Sequence, residues 1–500
     1  MKKFFTTFLF AYSLVATAQT IEVSKGASRP IAHHFAGVNG NAGTINMPWN
    51  NPQLLAGFVR TGANSIRYPA GTIANTWDWD RGWIDPTVPD SLLINWVVSE
   101  RWKEANVRYP IEHFAVAIKA SGAEPVYVLN MLSKDLEHSL RGLRRAKAAG
   151  LPVRYIEMGN ELYFNLKLET ARFPTPEDYG KTCYQWIAAI KKEFPEAKCA
   201  VVSWEQVRGE RHKQWTERVL QYATNADAVI FHVYTPFGID GARERTNNQA
   251  GQEGLTETSP LSKDPAERQR QELALLNDPT AYNRMLLTGF SVAERHKHMR
   301  VPADKEIWAT EFNVRSDSSA IRGTWANTLF VSTFYVSYLQ NPQIVLTHLH
   351  NIQGPIFGAI FSNENGLRHL RNEKIKTTPS TLTAGGLALH FFAALTRNGG
   401  TLTSLQFATS PTLLPNNAQS FPALHGWLVN SGKKTKGLII NYSAQPQAIS
   451  GKPLLKGLRY TSYSAPLQHY VLDVEGLTKT KGKADQTITL PPFSITVLEQ

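Results

Sequence analysis

Val153-Arg-Tyr-Ile-Glu-Met-Gly-Asn-Glu161 and Glu306-Ile-Trp-Ala-Thr-Glu311 are two short apolar, strand-like runs, each bringing a glutamate to its carboxyl end. Around them the chain alternates such runs with helical patterns from residue 31 to residue 351, which argues for βα units. Strands are predicted at His34–Asn39, Ser65–Tyr68, Pro125–Leu129, Tyr155–Met158, Ala200–Ser203, Ala228–His232, Ile307–Thr310 and Ile344–His348. Helices are predicted at Pro52–Thr61, Pro110–Ala120, Leu136–Ala148, Pro176–Phe194, Lys213–Ala223 and Ser319–Gln340. Eight units in series imply an α/β fold, a closed (β/α)8 TIM barrel.

From Thr401 the pattern becomes short strands between turn residues, as in Gly426-Trp-Leu-Val-Asn430, Gly437-Leu-Ile-Ile-Asn441 and Thr487-Ile-Thr-Leu490 before Pro491-Pro492. A C-terminal all-β sandwich domain is expected there, over 401–500, after a catalytic barrel over 31–400. Ile21-Glu-Val23 lies in a segment, 19–30, expected to add an N-terminal strand to that domain. Residues 1–18 read as a signal peptide: Lys2 and Lys3, an apolar run from Phe4 to Ala16, and Ala16-Thr17-Ala18 before Gln19. The expected location is secreted or periplasmic, and no later stretch is long and apolar enough to span a membrane.

Of the 500 residues 42% are hydrophobic and 19% charged, the composition of a globular chain with a large core. The formal charge of +12, from which Lys2 and Lys3 leave with the leader, leaves an acidic polysaccharide open as a partner. Nucleic acid is not expected, because no recognition motif accompanies the charge. The densest basic cluster, Arg141, Arg144, Arg145 and Lys147, has helical spacing and reads as a solvated outer face. With only two cysteines, Cys183 and Cys199, neither a metal framework nor a disulfide-rich scaffold is available; an oxidising compartment permits a bond between them, and two buried thiols are the expectation because helix-then-strand neighbours seldom satisfy the geometry.

In a barrel of this kind the strand C-termini and the loops after them form the active face. Asn39, Arg67, Asn130, Asn160, Glu161, Trp204, His232, Tyr234, Glu311, His348, His350 and Asn351 all fall there. Strands four and seven lie across the mouth from each other, so Glu161 and Glu311 can converge on one sugar ring. Retaining hydrolysis of a glycoside needs such a pair, an acid that protonates the leaving oxygen and a carboxylate that attacks the anomeric carbon, about 5–5.5 Å apart. Glu161 is expected as the acid/base and Glu311 as the nucleophile. Trp77, Trp79 and Trp83, after the second strand, offer indole faces to a sugar or form a small core for their own loop. His348 and His350 share one strand face. With no third ligand beside them, they are expected to hydrogen-bond substrate rather than metal. The polar excursion from Gly238 to Pro279 is either a wall over the active face or a solvated loop. No cofactor or metal is implied.

Gly159-Asn160-Glu161 resembles the fourth-strand acid/base motif of clan A retaining glycoside hydrolases, and Trp308-Ala309-Thr310-Glu311 their seventh-strand nucleophile motif. Ile66-Arg67-Tyr68-Pro69-Ala70-Gly71-Thr72 is similar to the second-strand segment of α-L-arabinofuranosidases and of the heparanase and β-glucuronidase group. The closing Leu490-Pro-Pro-Phe-Ser-Ile-Thr-Val-Leu498 resembles the last strands of the β domain these enzymes carry. The resemblance spans nearly all of the mature chain. It implies that Arg67 supports the nucleophile, that Asn160 hydrogen-bonds the hydroxyl beside the anomeric carbon, and that His232 and Tyr234 contact nucleophile or substrate. Ala70 departs from the pattern, standing where those relatives usually carry a second glycine.

The expected activity is hydrolysis of poly- or oligosaccharide by a two-glutamate double displacement, arabinofuranosidase-like or β-glucuronidase/heparanase-like. The alternatives are a barrel that only binds carbohydrate, and a polysaccharide lyase acting on acidic glycans.

Overall fold

The computed structural model describes residues 20–102, 108–205, 209–243, 261–315, 319–354, 357–363, 375–415, 419–485 and 487–500. The leader read at 1–18 lies outside the described residues, as do residues 244–260 of the polar excursion. The strand that opens the described chain, β1 (Ile21–Ile31), precedes the barrel strands β2 (Ala36–Asn39), β3 (Ser65–Tyr68), β4 (Glu124–Val128), β5 (Tyr155–Glu157), β6 (Lys198–Val202), β7 (Ala228–Thr235), β8 (Glu306–Val314) and β9 (Ile344–His350). Strands β2 to β9 pair in parallel and in chain order, and β9 pairs with β2 to close the barrel. All eight expected strands are present.

The helices between them start and stop where their ends supply the missing hydrogen bonds. Asn51 accepts from the amides of Gln53 and Leu54 ahead of Pro52–Thr61, which Gly62 ends in the left-handed region at φ 69°. Thr175 and Asp178 cap Pro176–Glu193 reciprocally. The helix expected from Ser319 begins at Trp325 and runs to Gln340, buried along nearly its whole length. It is buried because it lies between barrel and β domain: Trp325 donates its indole N–H to the Phe493 carbonyl at 2.7 Å.

The C-terminal strands join β1 in one nine-stranded sheet, ordered Thr478–Lys483, Arg459–Ser464, Ser494–Glu499, Lys434–Asn441, Leu424–Ser431, Gly400–Phe407, β1, Gln447–Ser450, Ile488–Leu490. Alternation along the strands sorts two faces. Trp427, Val429, Leu438, Ile440 and Ile495 join the core shared with the barrel, whereas Leu424, Leu428, Ile439 and Leu498 enclose a second core with Ile449, Ile488 and Leu490. The sheet thus curls over its own far end, giving two layers from one continuous ladder.

Inside the barrel, side chains at period two form layers. Ser65, Tyr155, Trp308 and His348 fill a lower layer: Ser65 Oγ lies 3.0 Å from His348 Nε2, and Tyr155 meets Trp308 edge to face. Arg67, Glu157 and His350 follow two residues further along β3, β5 and β9. On β8 the step from Trp308 to Glu311 is three residues, which plain alternation would turn outward. A register shift between these two residues, on the ladder to β7, keeps Glu311 facing inward.

Candidate active site

Arg67 is the centre of the upper layer and is fully buried. Its guanidinium donates through Nε to Glu157 Oε2 (2.8 Å), through Nη1 to Glu311 Oε1 (2.6 Å) and through Nη2 to Asn160 Oδ1 (2.9 Å). Burial opposes the charged form of Arg67, but the two carboxylates outweigh it and push its pKa up. Glu157 and Glu311 are thereby held on either side of a cation that cannot leave.

Glu311 is buried and ringed by donors. Besides Arg67, Asn39 Nδ2 donates to Oε1 at 3.2 Å and the Tyr234 hydroxyl to Oε2 at 2.6 Å; His232 Nδ1 and His350 Nδ1 each stand 3.8 Å from Oε2. Burial alone would raise its pKa. The surrounding His232, His350, Arg67 and Tyr234 reverse the sign and hold the carboxyl well below the usual range. Arg67 is the permanent cation among these groups, whereas burial pushes His350 itself towards the neutral form.

Glu161 occupies the loop after β5 in the left-handed region, at φ 49°. A non-glycine residue there costs about 1–2 kcal/mol, which the surroundings must offset. Two contacts do so. The amide side chain of Asn75 clips the backbone of the preceding residue, accepting from Asn160 N at 3.0 Å and donating to Asn160 O at 2.7 Å. Tyr163, its ring stacked on Trp204 at 4.1 Å, donates its hydroxyl to Glu161 Oε1 at 2.8 Å. His232 Nδ1 lies 3.2 Å from the same oxygen, while its Nε2 meets Thr310 Oγ1 at 3.2 Å. The Glu161 side chain is 15% exposed against 5% for Glu311, so the former opens further to solvent.

One carboxylate oxygen of Glu161, one of Glu311 and a ring nitrogen of His232 all lie within 4.8 Å of one another. Such a triad has the dimensions of a cation site as well as of a carboxylate pair. Here the Arg67 guanidinium and the Tyr234 hydroxyl already engage both oxygens of Glu311.

The structure thus gathers Arg67, Asn160, Glu161, His232, Tyr234, Glu311 and His350 around one point, with Trp204 behind Glu161, stacked on Tyr163. Other expected contacts lie elsewhere. Trp77 and Trp79 are fully buried in an aromatic cluster with Tyr68, Trp83 and Tyr127, so they are the core of their own loop. Asn130 spends its amide on Trp77 O and Ser133 Oγ and its carbonyl on the Leu132 and Ser133 amides, capping a turn. His348 sits one layer below the rim with Ser65. Asn351 ties Thr44 to the loop after β9 through a 2.8 Å hydrogen bond. Glu157, Asn75 and Tyr163 were not anticipated. For Glu157 a signal existed: it shares the inward face of β5 with Tyr155, and a charge on that face requires a partner.

The segment after β3 also explains the departure at Ala70. Its φ of 63° and that of Gly71, 70°, are both left-handed, so an alanine holds a conformation suited to glycine. A Cβ on Gly71 would meet the Asn41 side chain at 2.7 Å, so the second position admits no such exchange.

No protein-family model matches the sequence, and no curated protein matches it. Solved structures do match in three dimensions. A family 51 α-L-arabinofuranosidase from Bifidobacterium longum superposes with a TM-score of 0.64 at 15% identity, over 97% of this chain and 100% of that one. Its counterpart from Thermotoga petrophila gives 0.58 at 18%, over 96% and 99%. The chain therefore shares the fold of these arabinofuranosidases. A family 30 xylanase from Talaromyces cellulolyticus shares it more distantly, with a TM-score of 0.53 at 11% identity over 96% and 99% of the two chains.

Proposed function

We propose that this chain is a retaining glycoside hydrolase in which Glu311 is the nucleophile and Glu161 the acid/base. The observation that carries the reading is the approach of the two carboxylates to within 4.8 Å, oxygen to oxygen, across the barrel mouth. That is in keeping with the ~5–5.5 Å between carboxyls of a double displacement and is shorter than the roughly 6.5–9.5 Å typical of an inverting enzyme. The two environments divide the labour. Glu311 is dry, paired with a fixed cation and ionised, which suits attack on the anomeric carbon. Glu161, the more exposed, protonates the leaving oxygen and then activates the water that enters for the second displacement. Asn160 holds Arg67 with its carbonyl, while its buried Nδ2 has no acceptor among the described residues and is free to donate to the sugar hydroxyl beside the reacting carbon.

The fold neighbours favour an α-L-arabinofuranoside as the first substrate to try, in an exported protein acting on poly- or oligosaccharide. A lyase reading loses its support, since Tyr234 is committed to Glu311 rather than open as a base. Aryl glycosides, arabinofuranosides first, test the proposal with wild type, Glu161→Ala and Glu311→Gly. Hydrolysis with retained configuration, lost in Glu311→Gly and recovered with azide as a glycosyl azide of inverted configuration, is the expected result. Full activity in Glu311→Gly would overturn it.

A further inference from the structure

The catalytic reading leaves the strong positive charge of the chain without a role. The helical cluster noticed in the sequence does not supply one, because its arginines are already neutralised: Arg144 by Glu137 and Glu193, both at 2.7 Å, Arg145 by Glu112 at 2.9 Å, and Arg141 by Asp80 at 3.2 Å. About half of the excess lies in the C-terminal β domain. Residues 401–500 hold nine Lys and Arg against four Asp and Glu, and the outermost strand of the sheet, Thr478–Lys483, reads Thr-Lys-Thr-Lys-Gly-Lys.

Lys479, Lys481 and Lys483 alternate along that strand and so share one face, ~6.8 Å apart. They are exposed and lie in register with Tyr463, Thr461 and Arg459 of the neighbouring strand. Arg459 is exposed as well, with Glu499 in register on its other side. Among the described residues, none of these four cations forms an ion pair. Lys479 instead stands 5.9 Å over the Tyr463 ring, which is anchored against Phe391 at 5.2 Å.

We propose that this edge is a binding surface for an acidic polysaccharide chain, separate from the barrel mouth. A line of unpaired ammonium groups on a rigid strand, beside an arginine and an anchored aromatic ring, is complementary to a linear run of carboxylates or sulfates on sugar rings. Lysines on an edge strand also keep edges from pairing with other chains. That role needs charge of either sign, whereas polyanion binding needs positive charge, so reversing the sign separates the two.

The test is fluorescence anisotropy of labelled polygalacturonate with the full-length protein, alongside labelled dextran sulfate, neutral dextran and single-stranded DNA. Wild type should bind polygalacturonate, dextran sulfate or both in a salt-sensitive manner, and neutral dextran not at all. The triple variant Lys479→Glu, Lys481→Glu, Lys483→Glu should bind roughly a hundredfold more weakly, with unchanged hydrolysis of a small aryl glycoside. Lys119→Glu, Lys192→Glu, Lys213→Glu makes the same change of net charge on the barrel and should bind as wild type. Equal loss in both triples, no loss in the first, or tighter binding of DNA than of either glycan would each overturn the proposal. The binding readout needs no turnover, so it stands or falls apart from the catalytic reading.

Discussion

Arg67 Nη1 donates to Glu311 Oε1 at 2.6 Å, joining β3 to β8 across the inside of the barrel. The same group reaches Glu157 on β5 and Asn160 beyond it, so one buried cation fixes both Glu311 and the root of the loop that carries Glu161. Lysine is a single point charge and cannot hold three acceptors in one plane. Arg67→Lys should lower kcat/KM by about 10²–10³-fold. Arg67→Ala should in addition destabilise the barrel by about 3–5 kcal/mol, because two buried carboxylates lose their partner. Steady-state kinetics and thermal unfolding check both, and wild-type values in either variant would refute the assignment.

Tyr234 tests the electrostatics of Glu311 separately. Its hydroxyl favours the ionised carboxylate, so Tyr234→Phe removes one of the causes holding the Glu311 pKa down. The pKa should rise, and the acid limb of kcat/KM against pH should move to higher pH, with a loss of roughly tenfold or more at the optimum. A pH profile with an unmoved acid limb would show that the hydrogen bond has no bearing on the ionisation.

Most of this site was legible because barrels place function by position: strand ends pointed to Arg67, Glu161, His232, Tyr234 and Glu311 without any contact being known. What the sequence hid depends on layering and on local breaks in register. His348 shares a face with His350, yet one pleat lower is core rather than rim. Trp77 and Trp79 follow β3, but their burial is settled by Tyr68 at the end of that strand and by Tyr127, which is distant in sequence. Asn130 is a polar residue at a strand end whose hydrogen bonds are all consumed by its own turn and the neighbouring tryptophan loop.

Asn75 is expected to act through Glu161 rather than on substrate. Its two hydrogen bonds to the Asn160 backbone hold the turn in which Glu161 is left-handed. Asn75→Ala should lower kcat for a poor leaving group about 10–100-fold, an amount in keeping with misplacing a general acid. A dinitrophenyl glycoside, whose leaving group needs no proton, should show a much smaller loss in its first displacement. Equal loss on both substrates would mean that Asn75 supports the fold in general and not the acid.

Cys183 and Cys199 are both free and buried. Burial raises both thiols, Cys199 to about 12, so neither carries thiolate at neutral pH. Ellman's reagent should find no reactive thiol in the folded protein and two after denaturation without reductant. Fewer than two in the denatured chain would reveal an oxidised pair.

Buried histidines should set the acid limit of stability. His425 lies beneath the sheet, its Nε2 donating to the Pro422 carbonyl at 2.9 Å and its ring against Phe290 and Trp427. Burial lowers its pKa to about 4, and that of His34 to about 3. A histidine depressed in the folded state binds its proton more readily when unfolded. Its contribution to stability is therefore complete above the unfolded value near 6.5 and drains away as pH falls towards the folded one. Each such group should cost about 1.4 kcal/mol per pH unit across that window. The thermal midpoint should accordingly be level above pH ~6.5 and fall steadily towards pH ~4. His425→Phe, which keeps the ring but not the titration, should lower the midpoint at neutral pH by losing the hydrogen bond to Pro422 and yet flatten the acid slope. A variant with the wild-type slope would show that His425 does not titrate in this range and that the acid limit originates elsewhere.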